Sequence, residues 1–519
     1  MDQHVNGNGE NSAPIAGEAI ISPRRTRIVC TLGPASWSEE RIEALARAGM
    51  DVARINFSHG THEEHAETIA RVRRVEERIG RPIAVLQDLQ GPKIRIGELA
   101  EHKPVTLSDG QTFVITTREI MGDANTVSTT YAALPQDVKP DDRILLADGA
   151  IELRVVSVDG QDVTTLVTHG GSLSEHQGIN LPGIAVSAPA LTEKDRADVR
   201  FGVRHNVDFI ALSFVRRSED VRSTKAIIAE EIAANPDRVR PKAPAGLHPS
   251  VYVADQTIPL IAKLEKPEAI ANLDSILMAA DGVMVARGDL GVEMPLEQVP
   301  LIQKKIIARA NTLGLPVITA TQMLESMITH ARPTRAEASD VANAILDGTD
   351  AVMLSAETAV GQFPIETVQV MSRIALQAES AGERYTQSGR RGDKAQAVAS
   401  AAATLAREAG ARLIVVFTRT GTSAQLISKE RPAQPIVAFS PFQTVYRRLA
   451  LWWGVTPRYN ELTGSIEDRI ATADLALRES GMAQIGDEVV IMGGMPSIGR
   501  TRTNFVKLHR IGELDERLA

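Results

Sequence analysis

One cysteine, Cys30, stands in 519 residues. That excludes an internal disulfide framework and a multi-cysteine metal site, and it fits a reducing compartment. Cys30 falls in the apolar run RIVCTLG, where a packed thiol is expected. Aromatic residues are 3% of the chain, so no stacking surface for single-stranded nucleic acid is evident. The net charge of -8 lacks the basic excess of a nucleic-acid binder. No run approaches the roughly 18–20 apolar residues of a membrane span. Residues 1–18 are polar, rich in Gly and Asn, and hold no apolar stretch of signal-peptide length. They read as part of a disordered tail over residues 1–23. A soluble cytoplasmic protein that binds neither nucleic acid nor membrane is expected.

What the chain does have is apolar content, 43%, arranged in alternating buried strands and amphipathic helices. Strands are expected over 27–32, 51–57, 82–89, 208–214, 259–264, 282–286, 316–321 and 350–355. Helices are expected over 38–48, 62–79, 193–205, 218–234, 267–280, 296–313, 335–347 and 364–381. Glycines 49, 80, 314 and 348 stand at helix ends. Eight such units predict an α/β fold built on a (β/α)8 TIM barrel, with a six-stranded open sheet as the other possibility.

One unit is interrupted. Residues 93–189 alternate at period two (TFVITT, IELRVV, VTTLVT) and predict a small β-barrel domain inserted after the third strand. It would sit at the C-terminal mouth of the barrel, where a lid belongs. The barrel then comprises 24–92 and 190–386. Residues 235–253 read as an exposed loop. After a polar linker at 387–393, residues 387–519 read as a C-terminal open-sheet α/β domain.

The stretch that organises the chain is IAKLEKPEAIANLDSILMAADGVMVARGDLGVE, residues 261–293. It is a strand–helix–strand unit whose strands both run into charge. Lys263 and Glu265 share a face by strand alternation. Arg287, Gly288 and Asp289 end the second strand. One such cluster is as readily an internal ion pair as a ligand site. The pattern recurs, however. The second strand ends in Arg54, Asn56, Ser58 and His59, and the third in Asp88, followed by Lys93 and Arg95. The fourth ends in Ser213, the seventh in Thr319, Thr321 and Gln322, the eighth in Ser355 and Glu357. Such mouths suit a phosphorylated anion held by Arg54, Lys263 and a hard divalent cation on carboxylates. The Gly288 and Asp289 amides would suit a carboxylate.

DVARINFSHG, LQDLQGPKIR, IAKLEK, MVARGDLGVE, ATQMLESM and MLSAETAVGQFP together resemble the signature stretches of pyruvate kinases, over about residue 24 to the C-terminus. The resemblance implies transfer of the phosphoryl group of phosphoenolpyruvate to ADP, giving pyruvate and ATP. It implies Mg2+ (or Mn2+) on Glu265 and Asp289, Lys263 at the transferring phosphoryl, Arg54 on the phosphate and Thr321 near the substrate methylene. Ser213, Gly288 and Asp289 join the substrate set. Ser355 and Glu357 match a proton-relay region. Asn56, Ser58 and Asp88 match a monovalent-cation site. Asn56, His59, Arg95 and the lid carboxylate Asp148 are placed at the nucleotide. A cytoplasmic homotetramer is implied.

Two departures carry expectations. Lys93 stands where potassium-dependent members have glutamate, so the chain resembles the potassium-independent branch: a tethered ammonium supplies the charge of K+. Gln177 stands where many members have lysine, which removes one lid contact to nucleotide phosphate. In the C-terminal domain, Thr418, Thr420, Gly421, Thr422 and Ser423 follow a strand and open a helix. They suit a phosphate, or simply cap the helix. By resemblance this loop, with the glycine-rich loop 493–502, takes a phosphorylated allosteric effector. A sugar monophosphate or AMP is the expectation. The competing readings are another barrel enzyme of phosphoenolpyruvate or pyruvate, such as a lyase, and a catalytically weak paralogue that senses phosphorylated metabolites.

Overall fold

The computed structural model describes residues 22–184, 187, 190–235, 257–381, 393–460, 464–495 and 502–513. Residues 1–21, 236–256, 382–392 and 496–501 lie outside the described residues, and with them most of the expected tail (1–23), exposed loop (235–253), linker (387–393) and glycine-rich loop (493–502).

Strands β1 (Arg27–Leu32), β2 (Val52–Asn56) and β3 (Ala84–Asp88) begin the fold. The insertion follows as β4 (Val105–Leu107), β5 (Thr112–Thr116), β6 (Thr126–Ser128), β7 (Arg143–Leu146), β8 (Ile151–Asp159), β9 (Asp162–His169), β10 (Gly171–Leu173) and β11 (Ile179–Asn180). Strands β12 (Phe209–Leu212), β13 (Leu260–Leu264), β14 (Gly282–Ala286), β15 (Val317–Ala320) and β16 (Ala351–Leu354) complete a closed parallel barrel in the order β1-β16-β15-β14-β13-β12-β3-β2. Both faces of these strands are buried, so their sequences are near-continuous apolar runs.

Alternation divides each strand. Cys30, Ala53, Val85, Ile210, Ala262 and Val283 pack outward in the helix-covered core. Val29, Val52, Leu86, Ala211, Ile261, Met284, Ile318 and Met353 fill the barrel interior. Counting on by twos places Thr31, Arg54, Asp88, Ser213, Lys263 and Ser355 on the inner face at the C-terminal mouth. The other end is plugged by Ala450 and Leu451 of the C-terminal domain, which join the interior cluster.

The helices start where expected. Ser38, Thr61, Thr192 and Thr334 cap them with side-chain oxygens. Two differ in detail. The helix expected over 267–280 breaks at Asn272 into Pro267–Ala271 and Leu273–Ala279, and the Asn272 amide donates to the Arg216 carbonyl at 2.9 Å. The helix expected from 296 opens as a 3-10 turn, Leu296–Gln298, before Val299–Thr312, whose second residue is proline.

The insertion is a curled sheet in the order β11-β7-β8-β9-β5-β6, with a β4–β10 ribbon. Its two outer edges are joined by residues 94–97. The Ile96 amide donates to Gln177 and the Gly97 amide to Ser128, and the Thr130 amide donates to Arg95. The sheet encloses its own core around Phe113, Ile115, Leu146, Leu153 and Val163.

The C-terminal sheet runs β19-β18-β17-β20-β21: β17 (Leu413–Phe417), β18 (Ile436–Ser440), β19 (Val455–Tyr459), β20 (Glu488–Gly493) and β21 (Phe505–Arg510). Strand β19 is absent from the sequence reading because Pro457 disguises it. It is an edge strand, where proline is tolerated.

Candidate active site

At the mouth, Lys263 gathers three strands. Its Nζ lies 2.7 Å from Glu265 Oε1 and 3.3 Å from Asp88 Oδ1, and donates to Ser213 Oγ at 2.8 Å. The Ser213 hydroxyl donates to the Leu89 carbonyl at 2.7 Å. Arg54 donates through Nε to Asp88 Oδ2 at 2.7 Å and through Nη1 to Thr31 Oγ1 at 2.9 Å. Burial opposes charge on Lys263, but Asp88, Glu265 and Asp289 outweigh it and hold the ammonium above the usual lysine range. Burial likewise opposes charge on Asp88, and Lys263 and Arg54 more than compensate. The group is a fixed lattice of opposite charges in a nearly dry barrel mouth, where electrostatic interactions are strong.

Asp289 differs. Burial and the charge of Glu265 push its carboxyl up to about 6, against the pull of Lys263 and Lys93. Two carboxylates strained against each other at a cleft are what a hard divalent cation relieves, and one or two protein carboxylates are what Mg2+ ordinarily takes. Among the described residues, no group of three or more His, Cys, Asp or Glu gathers into a fuller metal cage. Glu265 is oriented by the Phe214 amide, which donates to its Oε2 at 2.8 Å.

Thr321 stands on a strained turn, with φ 65° at Thr321 and 54° at Gln322. Arg287 holds that turn, donating to the carbonyls of Thr321 and Gln322 at 3.0 and 3.1 Å while pairing with Asp340 at 2.6 Å. Arg287 therefore braces the site. The Gly288 amide donates to Thr321 Oγ1 at 2.7 Å, which ties the start of this helix to the Thr321 turn. Ser355 Oγ is buried with no hydrogen-bond partner among the described residues. Glu357 is turned to the backbone, accepting from the amides of Ser355 at 2.6 Å and Leu324 at 3.2 Å, and burial raises its pKa. Thr319 lies in the barrel wall, bonded to Thr349.

The remaining predicted residues line the facing rim. Asn56 lies opposite Asp88 in the β2–β3 register, and its Oδ1 accepts from the Ser58 amide at 3.2 Å. His59 is exposed just beyond. Burial, then Arg95, Lys93 and Arg54, lowers its pKa, which places the imidazole in the field of these three cations. Arg95 donates to the His176 carbonyl at 2.7 Å. A cleft open to solvent separates the mouth from the insertion. Its walls include Lys93, Asp148, Gly178, Asn180, Phe214, Lys266 and Asp289. Gln177 is absent from that wall; its Oε1 accepts from the Ser174 amide. Thr31, Phe214, Lys266 and Glu293 escaped the sequence reading. The signal available for Thr31 was its place two residues beyond Val29 on the inner face of β1.

In the C-terminal domain, strand order reverses between β17 and β20, and ligand crevices of open α/β sheets lie at such points. Gly421, at φ 90°, turns the chain into the helix Thr422–Lys429. Thr418 Oγ1 accepts from the Gly421 amide at 2.9 Å, Thr420 and Thr422 hydroxyls pair at 2.8 Å, and Ser423 pairs with Thr503 at 2.7 Å. Beside this loop, Arg419 Nη2 and Arg469 Nε are buried with no hydrogen-bond partner among the described residues, and the Arg419 guanidinium lies 5.7 Å from the centre of the Phe442 ring. Burial, then Arg469, lowers the pKa of Arg419. Neither arginine was singled out from sequence.

Family models match two parts of the chain: the pyruvate kinase barrel domain over residues 23–235 and 250–368, and the pyruvate kinase alpha/beta domain over 396–509. The chain is 46% identical over 499 residues to a pyruvate kinase of Geobacillus stearothermophilus, covering 95% of this chain and 81% of that one. It is 44% identical over 495 residues to a pyruvate kinase of Mycobacterium tuberculosis, covering 95% and 99%. A crystal structure of a pyruvate kinase from Cryptosporidium parvum superposes with a TM-score of 0.83 at 37% identity, covering 95% of this chain and 97% of that one.

Proposed function

The chain belongs to the pyruvate kinase family of phosphotransferases, and from that premise we propose that it transfers the phosphoryl group of phosphoenolpyruvate to ADP at the barrel mouth. The observation that carries this reading is Lys263, whose ammonium bridges Asp88, Glu265 and Ser213 beside Asp289. Arg54, already braced by Thr31 and Asp88, is aimed at the substrate phosphate. Lys263 neutralises charge as the P–O bond to the enol oxygen breaks and a β-phosphate oxygen of ADP takes the phosphorus. Such transfers depend on positioning and charge neutralisation more than on covalent help. Glu265 and Asp289 would hold Mg2+ or Mn2+, which supplies Lewis-acid charge at phosphate and enolate oxygens. The enolate then takes a proton at carbon on the Thr321 side.

Lys93 lies at the edge of the cleft and offsets the carboxylate charge felt by Asp289, which supports turnover without K+. Pyruvate formation from phosphoenolpyruvate and ADP with Mg2+ is expected in K+-free buffer. No turnover in either buffer, with phosphorylated effectors added, overturns the assignment; turnover only with K+ overturns the Lys93 reading alone. The buried Arg419 and Arg469 nitrogens, with no hydrogen-bond partner among the described residues, support an anionic effector at 418–423, a sugar monophosphate or AMP. Thr422→Ala and Ser423→Ala are expected to abolish activation by such metabolites. A homotetramer is the expected assembly, checked by light scattering.

A further inference from the structure

The inserted domain meets the barrel at two points that converge on one patch. Leaving the barrel, the chain turns at Gly91, φ 70°, directly against the Phe214 ring: a Cβ added there would lie 2.6 Å from Phe214 Cδ2. Phe214 itself holds φ 54°, a conformation that a bulky residue adopts only under constraint. The Lys266 ammonium sits 5.7 Å from the centre of the same ring. Returning to the barrel, the chain passes Asn180, whose Nδ2 donates to Glu293 Oε1 at 3.0 Å. That oxygen also takes Lys266 Nζ at 2.5 Å. The Glu293 carboxylate is 2% exposed and Lys266 14%, so both charges are largely withdrawn from water. Charge-assisted hydrogen bonds are strong in such surroundings.

We propose that Lys266, Glu293 and Asn180 form a latch that holds the inserted domain shut over the cleft. Glu293 ends the helix Arg287–Glu293, whose third residue is Asp289. Asn180 is the latch's only member on the insertion, so its hydrogen bond is the one that breaks on opening. Lys266 stays with Glu293 in either position and keeps that carboxylate aimed at the insertion. Lys266 and Glu293 are thus positioning residues for the nucleotide side of the reaction. The inference rests on reading this cleft as the place where ADP is bound.

The test uses the full-length protein in two arms. In the ligand-free protein, Asn180→Ala and Lys266→Met should each speed amide exchange at 94–97 and 178–181, leaving the C-terminal sheet unchanged. In kinetics, each should raise KM for ADP about tenfold, the order of one lost charge-assisted hydrogen bond, with KM for phosphoenolpyruvate within about twofold. The double variant should be no worse than the worse single one, because both act through one oxygen of Glu293. Lys266→Arg should restore most of the loss. Should Lys266→Met fail to fold with Glu293 left unpaired, Lys266→Met with Glu293→Gln removes both charges together and should show the same exchange. Unchanged exchange, equal increases in both KM values, or additive single effects would each overturn the latch. Failure to use ADP at all would instead overturn the reading of the cleft, since the exchange arm needs no nucleotide.

Discussion

The two ends of the barrel both hold clustered ion pairs, arranged differently. At the N-terminal end, an aspartate stands immediately before every second strand in chain order: Asp51 before β2, Asp208 before β12, Asp281 before β14 and Asp350 before β16. Each accepts the backbone amide near the start of the preceding strand: Ile28, Val85, Leu260 and Val317, at 2.7–2.9 Å. Each also takes a basic side chain. Asp51 pairs with Arg24 at 2.8 Å, Asp208 with Arg73 at 2.7 Å, Asp281 with Lys225 at 2.8 Å and Asp350 with Lys429 at 2.6 Å. At the mouth, by contrast, Lys263 is shared among Asp88, Glu265 and Ser213, and Glu265 opposes the ionisation of Asp289. The same chemistry registers strands where each acid is satisfied, and leaves a carboxylate strained where it is not.

The comparison breaks most visibly at Lys263. Lys263→Met should cost at least about 100- to 1000-fold in turnover, the scale of losing one preorganised charge stabiliser. Its unfolding midpoint should move far less than that of the variant next described. A stable but still active Lys263→Met enzyme would place the mouth with the structural clusters.

At the floor, Asp350→Ala leaves Lys429 and Arg431 buried without their carboxylate, and should cost about 3–5 kcal/mol in chemical denaturation. Both cations belong to the C-terminal domain, so that domain should loosen first. An undisturbed denaturation curve would contradict this.

A smaller effect sharpens the same point. Burial, opposed by Asp350 and reinforced by Arg431, pulls Lys429 down to about 8 from the usual 10.5. Between those values the unfolded chain binds more protons than the folded one, so stability rises with pH from about 8 to 10.5. The contribution is bounded at about 3 kcal/mol by the size of the shift. Lys429→Met should flatten that slope, measured by denaturation at pH 8 and 10; an unchanged slope would locate the titration elsewhere.

The smallest effect is expected on the surface. Arg74 and Arg78 bridge Glu39, Glu43 and Glu67 between two exposed helices. Arg74→Ala should leave both turnover and the unfolding midpoint where they were, since solvent screens such pairs.

The eight strands, the insertion and most of the mouth were legible in sequence. Parallel strands buried on both faces write themselves as apolar runs, and period two then marks which residues point inward. Lys263 was found that way, Arg54, Asp88 and Ser213 by their place at strand ends, and the structure brings the four together. Asn272 interrupting a helix and Pro457 within β19 were not legible, because a contact to the Arg216 carbonyl and an edge position excuse residues that local preference penalises. The aspartates before alternate strands were in plain view as GMDV, NVDF, AADG and GTDA. Their common role appears only when neighbouring strands stand side by side.

By itself the chain determined its element order, its domain plan and the residue types at the mouth, since these follow from local periodicity and spacing. Only the tertiary structure decided which charges saturate each other. It tied the Gly288 amide to Thr321, set Arg287 to brace a turn, brought Arg419 beside Arg469, and joined Asn180 to Lys266 through Glu293. Those outcomes depend on distances between residues far apart in sequence, and Coulomb and hydrogen-bond energies depend on distance and burial rather than on order along the chain.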